Sequence, residues 1–376
     1  MGVGEGDFHR TRLTHTLECA QVGTGVLDQF ERTGVIPGPL VEWRPGRALM
    51  EAACFAHDLG HPPFGHGGEQ ALFSQMRDSG GFEGNAQTLR LLTRLEKYTE
   101  RGRGINPTRR LVLAILKYPV RYSKFDTAGR TKPPKCYYDD ESEIVDWALK
   151  CFEADDREKL EEIGENDKAK HRTFDCSLME FADDVAYGIH DLEDIIARKL
   201  ATRDQWDKAL AKSFDSVGGH LDTDDGKLTA AIVASGLFAD SWKRKHLIGR
   251  LVNLFMAAAK IQDLDTFRHP LLRFRVGLEG AHAALFESFK SMSFRLAIDK
   301  ASVQQLERRG KRLITKIFQA LREDPKHLIP GWIEGEPSTS TSRRICDYIA
   351  GMTDSYAEKV YSRLFVPGVG SSGDEL

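Results

Sequence analysis

From Leu178 the apolar positions Leu178, Ala182, Val185, Ile189, Leu192 and Ile196 step by three or four residues, the period of a helix with one buried stripe. Similar amphipathic patterns run through 12–30, 48–59, 85–100, 108–118, 227–237, 245–261, 278–296, 302–322 and 343–364. No stretch sustains the alternation of period two that a half-buried strand requires, and no short repeat recurs. The pattern predicts an all-α protein. Segments 31–46, 119–137 and 335–342 read as irregular, the charged stretch 153–173 as a solvated helix or loop, and the last ten residues, 367–376, as a disordered tail.

Composition narrows this only slightly. A chain of 376 residues, 41% hydrophobic, has enough apolar side chains for one large body or two smaller ones. With a net charge of -3 there is no bulk pull toward nucleic acid, although "WKRKHLIGR" and "RHPLLRFRV" are local basic candidates. No apolar run approaches the roughly 18 residues that cross a bilayer. "MGVGEGDFHR" lacks the apolar core of a signal peptide. The six cysteines are scattered with no Cys-x-x-Cys, which reads as reduced thiols in a cytoplasmic protein.

The chemistry concentrates in three places. His15 lies in "TRLTHTLECA", with Leu13, Leu17 and Ala20 as the expected core side of its helix. His57 and Asp58 lie in "FAHDLGHPPFGHGGEQAL", where Gly60 and Pro62-Pro63 end a helix and leave the pair at its C-terminal edge. Asp183 follows about 125 residues later, at the expected start of the helix with the apolar stripe. Each piece alone is ordinary, and Asp183-Asp184 by itself reads as a helix N-terminal charge pair. Together, two imidazoles and two carboxylates make a set of borderline nitrogen and hard oxygen donors suited to a divalent ion working on phosphate. Beyond them, His61, His66 and Glu69 sit in a glycine- and proline-rich segment that reads as bent and open over a pocket. A histidine is the natural proton carrier there at neutral pH. Tyr187 and Asp191 follow Asp183 at spacings of four and eight, roughly on one helix face.

The order His, then His-Asp, then a distant Asp resembles the HD-domain phosphohydrolases. The longer strings "GDFHRTRLTHTLE", "AHDLGHPPFGHGGE" and "FADDVAYGIHDLED" resemble the deoxyguanosinetriphosphate triphosphohydrolase-like (dGTPase/dNTPase) family, as do "LERRGKRLITKIFQAL" and "RRICDYIAGMTDSYAEKVYSRLF". The resemblance implies an all-α HD core over residues 1–200, continued by C-terminal helices over 201–366. It implies His15, His57, Asp58 and Asp183 as ligands of Mn²⁺ or Mg²⁺, and His66, with Glu69 and His61, as the catalytic group. It further implies phosphate contacts from Arg12 and from Lys117 of the pocket pair Lys117-Tyr118, a deoxyribose packed on Tyr187, a 3′-hydroxyl bonded to Asp191, and Asn85 and Gln87 along the pocket. The implied reaction turns a dNTP into a deoxynucleoside and inorganic triphosphate. The implied assembly is a homo-oligomer, hexameric in many members, open to dNTP or single-stranded DNA effectors. Members usually carry several dozen residues, a helical segment among them, before the first metal histidine where this chain has 14, so either the chain is truncated or its start is shortened. An HD phosphatase on nucleoside monophosphates or alarmones, and a non-catalytic nucleotide- or DNA-sensing protein, remain open alternatives at this point.

Overall fold

A computed structural model describes residues 12–98, 104–164, 167–223, 226–298, 301–332 and 340–370. Helices α1 (Arg12–Thr33) and α2 (Arg47–Ala56) lead to α3 (Gly65–Met76), α4 (Gly84–Arg90) and α5 (Arg109–Ile115). Next come α6 (Ser142–Leu149), α7 (Ala154–Leu160), α8 (Phe174–Ala197) and α9 (Arg203–Asp215). The hairpin β1 (His220–Thr223) and β2 (Gly226–Thr229) precedes α10 (Ala230–Leu237) and α11 (Ser241–Ala257). A second hairpin, β3 (Lys260–Asp263) and β4 (Phe274–Gly277), brackets the single turn α12 (Pro270–Arg273). Helices α13 (Gly280–Ser293), α14 (Ala301–Glu323), α15 (Pro325–Leu328), α16 (Thr341–Ala350) and α17 (Asp354–Phe365) complete the chain. The fold is all-α, and no described helix is long and apolar enough to cross a membrane.

The chain divides into two units: one runs from His57 to Arg172 and from Gln305 onward, the other up to Ala56 and from Thr173 to Gln304. In the second, α1, α2 and α8 pack on one another, and α8 also meets α11, α13 and β4. Close approach is set by small residues: a Cβ on Gly23 of α1 would meet Met50 and Cys54 of α2 at 3.2 Å. Thr173 starts α8 by accepting the Cys176 N–H, satisfying one of the donors that a helix start leaves unpaired. Leu178, Ala182, Val185, Ile189 and Leu192 are buried, as the stripe predicts.

The first unit is centred on Phe73, Met76, Phe82, Ile314, Phe318 and Ile345, contributed by α3, α14, α16 and the turn before α4. Gly67 and Gly68 of α3 allow this packing. A Cβ on Gly67 would lie 2.4 Å from the Glu307 carbonyl, and one on Gly68 only 1.9 Å from that of Pro63. All six cysteines are free thiols, consistent with the absence of a Cys-x-x-Cys pair.

Several expectations are corrected. Leu13 and Leu17 are 68% and 50% exposed; the buried side of α1 is Thr16, Cys19, Ala20 and Gly23, one position round the helix. Asp183 is not at a helix start: α8 begins at Phe174, nine residues earlier, because Thr173 caps it. Gly65–Met76, read as bent and open, is helical despite the poor helix propensity of its glycines; Glu307 of α14 packs against one of them, Gly67. Residues 227–229 and 260–261 are strand, in hairpins too short to show alternation. Residues 343–364 break between Ala350 and Asp354, where Thr353 caps a new helix. Parts of 335–342 and of the tail 367–376 lie outside the described residues.

Candidate active site

The site is built on α1, α2 and α8. His15, in the first turn of α1, points Nε2 at Asp183 Oδ1 of α8, 3.0 Å away. His57 follows directly on Ala56, the last residue of α2, and is 6% exposed. Donor atoms of His15, His57 and Asp183 lie within 4.8 Å of one another, the group of metal-binding type found among the described residues. Two donors on an octahedral divalent ion at about 2.1 Å sit roughly 3 to 4.2 Å apart, so this spread fits such an ion with little adjustment. Neutral imidazoles and a carboxylate are also the donor types such an ion takes. A carboxylate oxygen of Asp58 is 3.6 Å from His57 Nε2 and 3.0 Å from His61 Nδ1, so Asp58 sits between the two imidazoles.

The His57-Asp58 turn is clamped by α4. Gly60 donates its N–H to Thr88 Oγ1 at 3.0 Å, and Thr88 Oγ1 donates to the His57 carbonyl at 3.2 Å. A Cβ at Gly60 would stand 2.1 Å from the Thr88 nitrogen, so only glycine fits. The following Pro-Pro-Phe leads to Phe64, at φ 62, whose N–H donates to Asp354 Oδ1 at the start of α17. That anchor fixes where α3 begins. His66 is then exposed in the first turn of α3, and Glu69, one turn on, is buried. Glu69 Oε1 accepts the Gly84 N–H at 3.1 Å, and Lys135 Nζ lies 3.5 Å from it.

The remaining predicted residues fall as follows. Arg12 is exposed at the start of α1, and Lys117 is half-buried just after α5. Tyr118 is buried, and burial pushes its hydroxyl above the usual range, with the nearby Glu83 adding to the rise. Tyr187 is 47% exposed on α8, and Asp191 half-buried one turn on, along the line of Asp183. Asn85 donates its amide to Glu83 Oε1 at 2.9 Å. Gln87 is buried, its amide bonded to Asp347 and Tyr138, which is a packing role and not a pocket-lining one. Of the two basic strings, the second is partly neutralised, since Arg273 pairs with both oxygens of Asp263.

Two residues escaped sequence reasoning. Glu83 is fully buried; it caps α4 through the Ala86 N–H and pairs with Lys135 at 2.7 Å. Burial, the largest single effect, would raise its pKa, but the charge and hydrogen bond of Lys135 together with the hydrogen bonds from Asn85 and Ala86 outweigh it and hold the carboxyl below the usual range. Lys135 is pulled down by burial and lifted more strongly by Glu83 and Glu69, so its ammonium is firmly charged. The sequence signal was slight: a lysine behind Pro133-Pro134 in a segment otherwise read as loop.

Residues 276–363 match the family described as a phosphohydrolase-associated domain. A Deinococcus radiodurans protein named deoxyguanosinetriphosphate triphosphohydrolase-like protein 2 is 39% identical, covering all of this chain and 88% of the relative. Deoxyguanosinetriphosphate triphosphohydrolase-like proteins of Shewanella sp. (strain ANA-3) and Shewanella sediminis are 39% and 40% identical over 99% of the chain and 88% of their own length. At this identity over nearly its whole length, the chain belongs to the deoxyguanosinetriphosphate triphosphohydrolase-like family of HD phosphohydrolases.

Proposed function

We propose that the protein hydrolyses deoxynucleoside triphosphates, dGTP or several dNTPs, to the deoxynucleoside and inorganic triphosphate. The observation that carries this reading is the convergence of His15, His57 and Asp183 within ligand distance of one ion. In the proposal Asp58 completes the set, and the ion is Mn²⁺ or Mg²⁺. When bound, such an ion draws electron density from a phosphate oxygen and makes phosphorus more open to attack.

The chain's own groups supply the rest. Arg12 and Lys117 offset charge on the triphosphate, the arginine through its planar fork and the lysine as a point charge. Tyr118 lies beside Lys117 along the same segment. His66 carries a proton at the attacking water or at the leaving 5′-oxygen. Glu69, one turn away on α3, steadies that imidazole, and His61 stands behind Asp58. Tyr187 packs on the deoxyribose and leaves no room for a 2′-hydroxyl, while Asp191 accepts from the 3′-hydroxyl. Asn85 borders the same pocket. A homo-oligomer, hexameric as in many members, and sensitivity to a dNTP or single-stranded DNA effector belong to the same reading, as does a cytoplasmic location.

The test is product analysis with each dNTP and with GTP, in Mn²⁺ or Mg²⁺. Deoxynucleoside plus triphosphate, lost in His57→Ala and Asp183→Asn, supports the proposal. Monophosphate plus pyrophosphate contradicts the bond assignment. Size-exclusion chromatography with light scattering tests the assembly: a monomer at every concentration contradicts it.

A further inference from the structure

Lys135 occupies a position the family reading leaves without a role. Its ammonium lies 2.7 Å from Glu83 Oε1 and 3.5 Å from Glu69 Oε1, and stands 5.8 Å from the centre of the Tyr118 ring. It thus touches the carboxylate beside His66, a buried carboxylate that caps α4, and an aromatic residue next to Lys117. The segment holding it is stiff. Pro133 and Pro134 fix their own φ angles. Just after it, Tyr137 donates its N–H to the Val120 carbonyl, and Tyr122 donates to the Tyr137 carbonyl, both at 2.9 Å. The side chain is only 27% exposed, so the ammonium is held close to both carboxylates. The charge arithmetic needs it: Glu69 and Glu83 both reach the first turn of α4, through Gly84 and Ala86, and two neighbouring carboxylates without a cation repel each other.

Resting on the proposed role of His66 and Glu69, we propose that Lys135 is a positioning residue of the reaction, fixing the Glu69 carboxylate one turn from His66 and setting the ring of Tyr118. It acts through Glu69 and touches neither the metal ligands nor, in this proposal, the phosphate. Freed from Lys135, Glu69 swings away from a productive placement. Misplacement of about 1 Å in such a group costs on the order of 10²-fold in rate.

The experiment measures kcat and KM for Lys135→Met, Lys135→Arg, Glu69→Gln, the pair Lys135→Met/Glu69→Gln, and the pair Lys135→Met/Glu83→Gln. The last variant removes the uncompensated buried charge at Glu83, so it guards against simple unfolding. The expected result is a fall in kcat of about 10- to 100-fold in Lys135→Met. KM should change little, Lys135→Arg should recover most of the rate, and the loss should persist in the Glu83→Gln background. In the Glu69→Gln background, Lys135→Met should cost little more. Recovery of kcat when Glu83→Gln is added would show a purely structural role and overturn the inference. A rise in KM with kcat unchanged would assign Lys135 to substrate binding and overturn it too. Full multiplication of the two losses in the Glu69 pair would do the same. A normal rate in Glu69→Gln would overturn the proposed function of Glu69 itself and this inference with it; a slow Glu69→Gln beside a normal Lys135→Met overturns the inference alone.

Discussion

His15 Nε2 lies 3.0 Å from Asp183 Oδ1, across 168 residues of sequence. In the proposed function these two half-buried donors, from the start of α1 and the middle of α8, hold one divalent ion together with His57. Divalent metal should therefore stabilise the folded protein. At a hundredfold excess over Kd the unfolding free energy should rise by about 2.7 kcal/mol, and the rise should vanish in Asp183→Asn and in His57→Ala. Denaturant unfolding with and without Mn²⁺ measures this; equal stabilisation of wild type and both variants would place the ion elsewhere.

Gly60→Ala should cost at least about 3 kcal/mol, because the new methyl meets the Thr88 backbone nitrogen at 2.1 Å and neither segment can yield without breaking the Thr88 bonds to Gly60 and His57. Gly249→Ala makes the opposite case. It sits inside α11 with open space around its Cβ direction, and alanine should add about 0.5–1 kcal/mol. Urea unfolding of the two variants checks the contrast.

The ion pair of Glu83 and Lys135 gives the protein a pH signature. The Glu83 carboxyl is held below its ordinary value of 4.5, so its contribution is present above that pH and is lost as pH falls through the folded value. Glu83→Gln should lose about 3 kcal/mol at pH 7 by leaving Lys135 without its nearest carboxylate, and its gap from the wild type should narrow as pH falls below 4.5. Lys135 runs the other way: its folded pKa is raised, so its share persists below 10.5 and fades as pH climbs past it. Parallel wild-type and variant stability curves from pH 3 to 8 would contradict the assignment.

Much of this was legible beforehand. The long stripe of α8 was readable because a buried face repeated for five turns, and the His57-Asp58 turn because Gly60 and two prolines can end a helix. The side of α1 was misjudged by one position: Leu13 and Leu17 are the obvious apolar residues, but the buried side is made of Thr16, Cys19, Ala20 and Gly23, small enough for α2 and α8 to approach. Helix α3 was hidden because Gly67 and Gly68 weaken local helix propensity, and the α14 residue that needs Gly67, Glu307, comes some 240 residues later. Lys135 was invisible for the same reason: its partners lie 52 and 66 residues away, and no local pattern reports them.

Tyr187→Ala should admit ribonucleotides. If, as proposed, its ring bars a 2′-hydroxyl, the variant should raise the ratio of kcat/KM for GTP over dGTP by at least about tenfold, with dGTP turnover falling as the sugar loses its platform. Paired kinetics on the two nucleotides give the ratio; an unchanged ratio would move sugar discrimination to another residue.

Whether the protein cleaves dGTP at the α-phosphate with His57 in the reaction is decided by incubating purified protein and its His57→Ala variant with dGTP and Mn²⁺ and separating the products. The wild type should release deoxyguanosine and inorganic triphosphate in equal amounts, and the variant should turn over at least about 10³-fold more slowly. Release of dGMP and pyrophosphate, or equal turnover by both proteins, would contradict the proposed reaction.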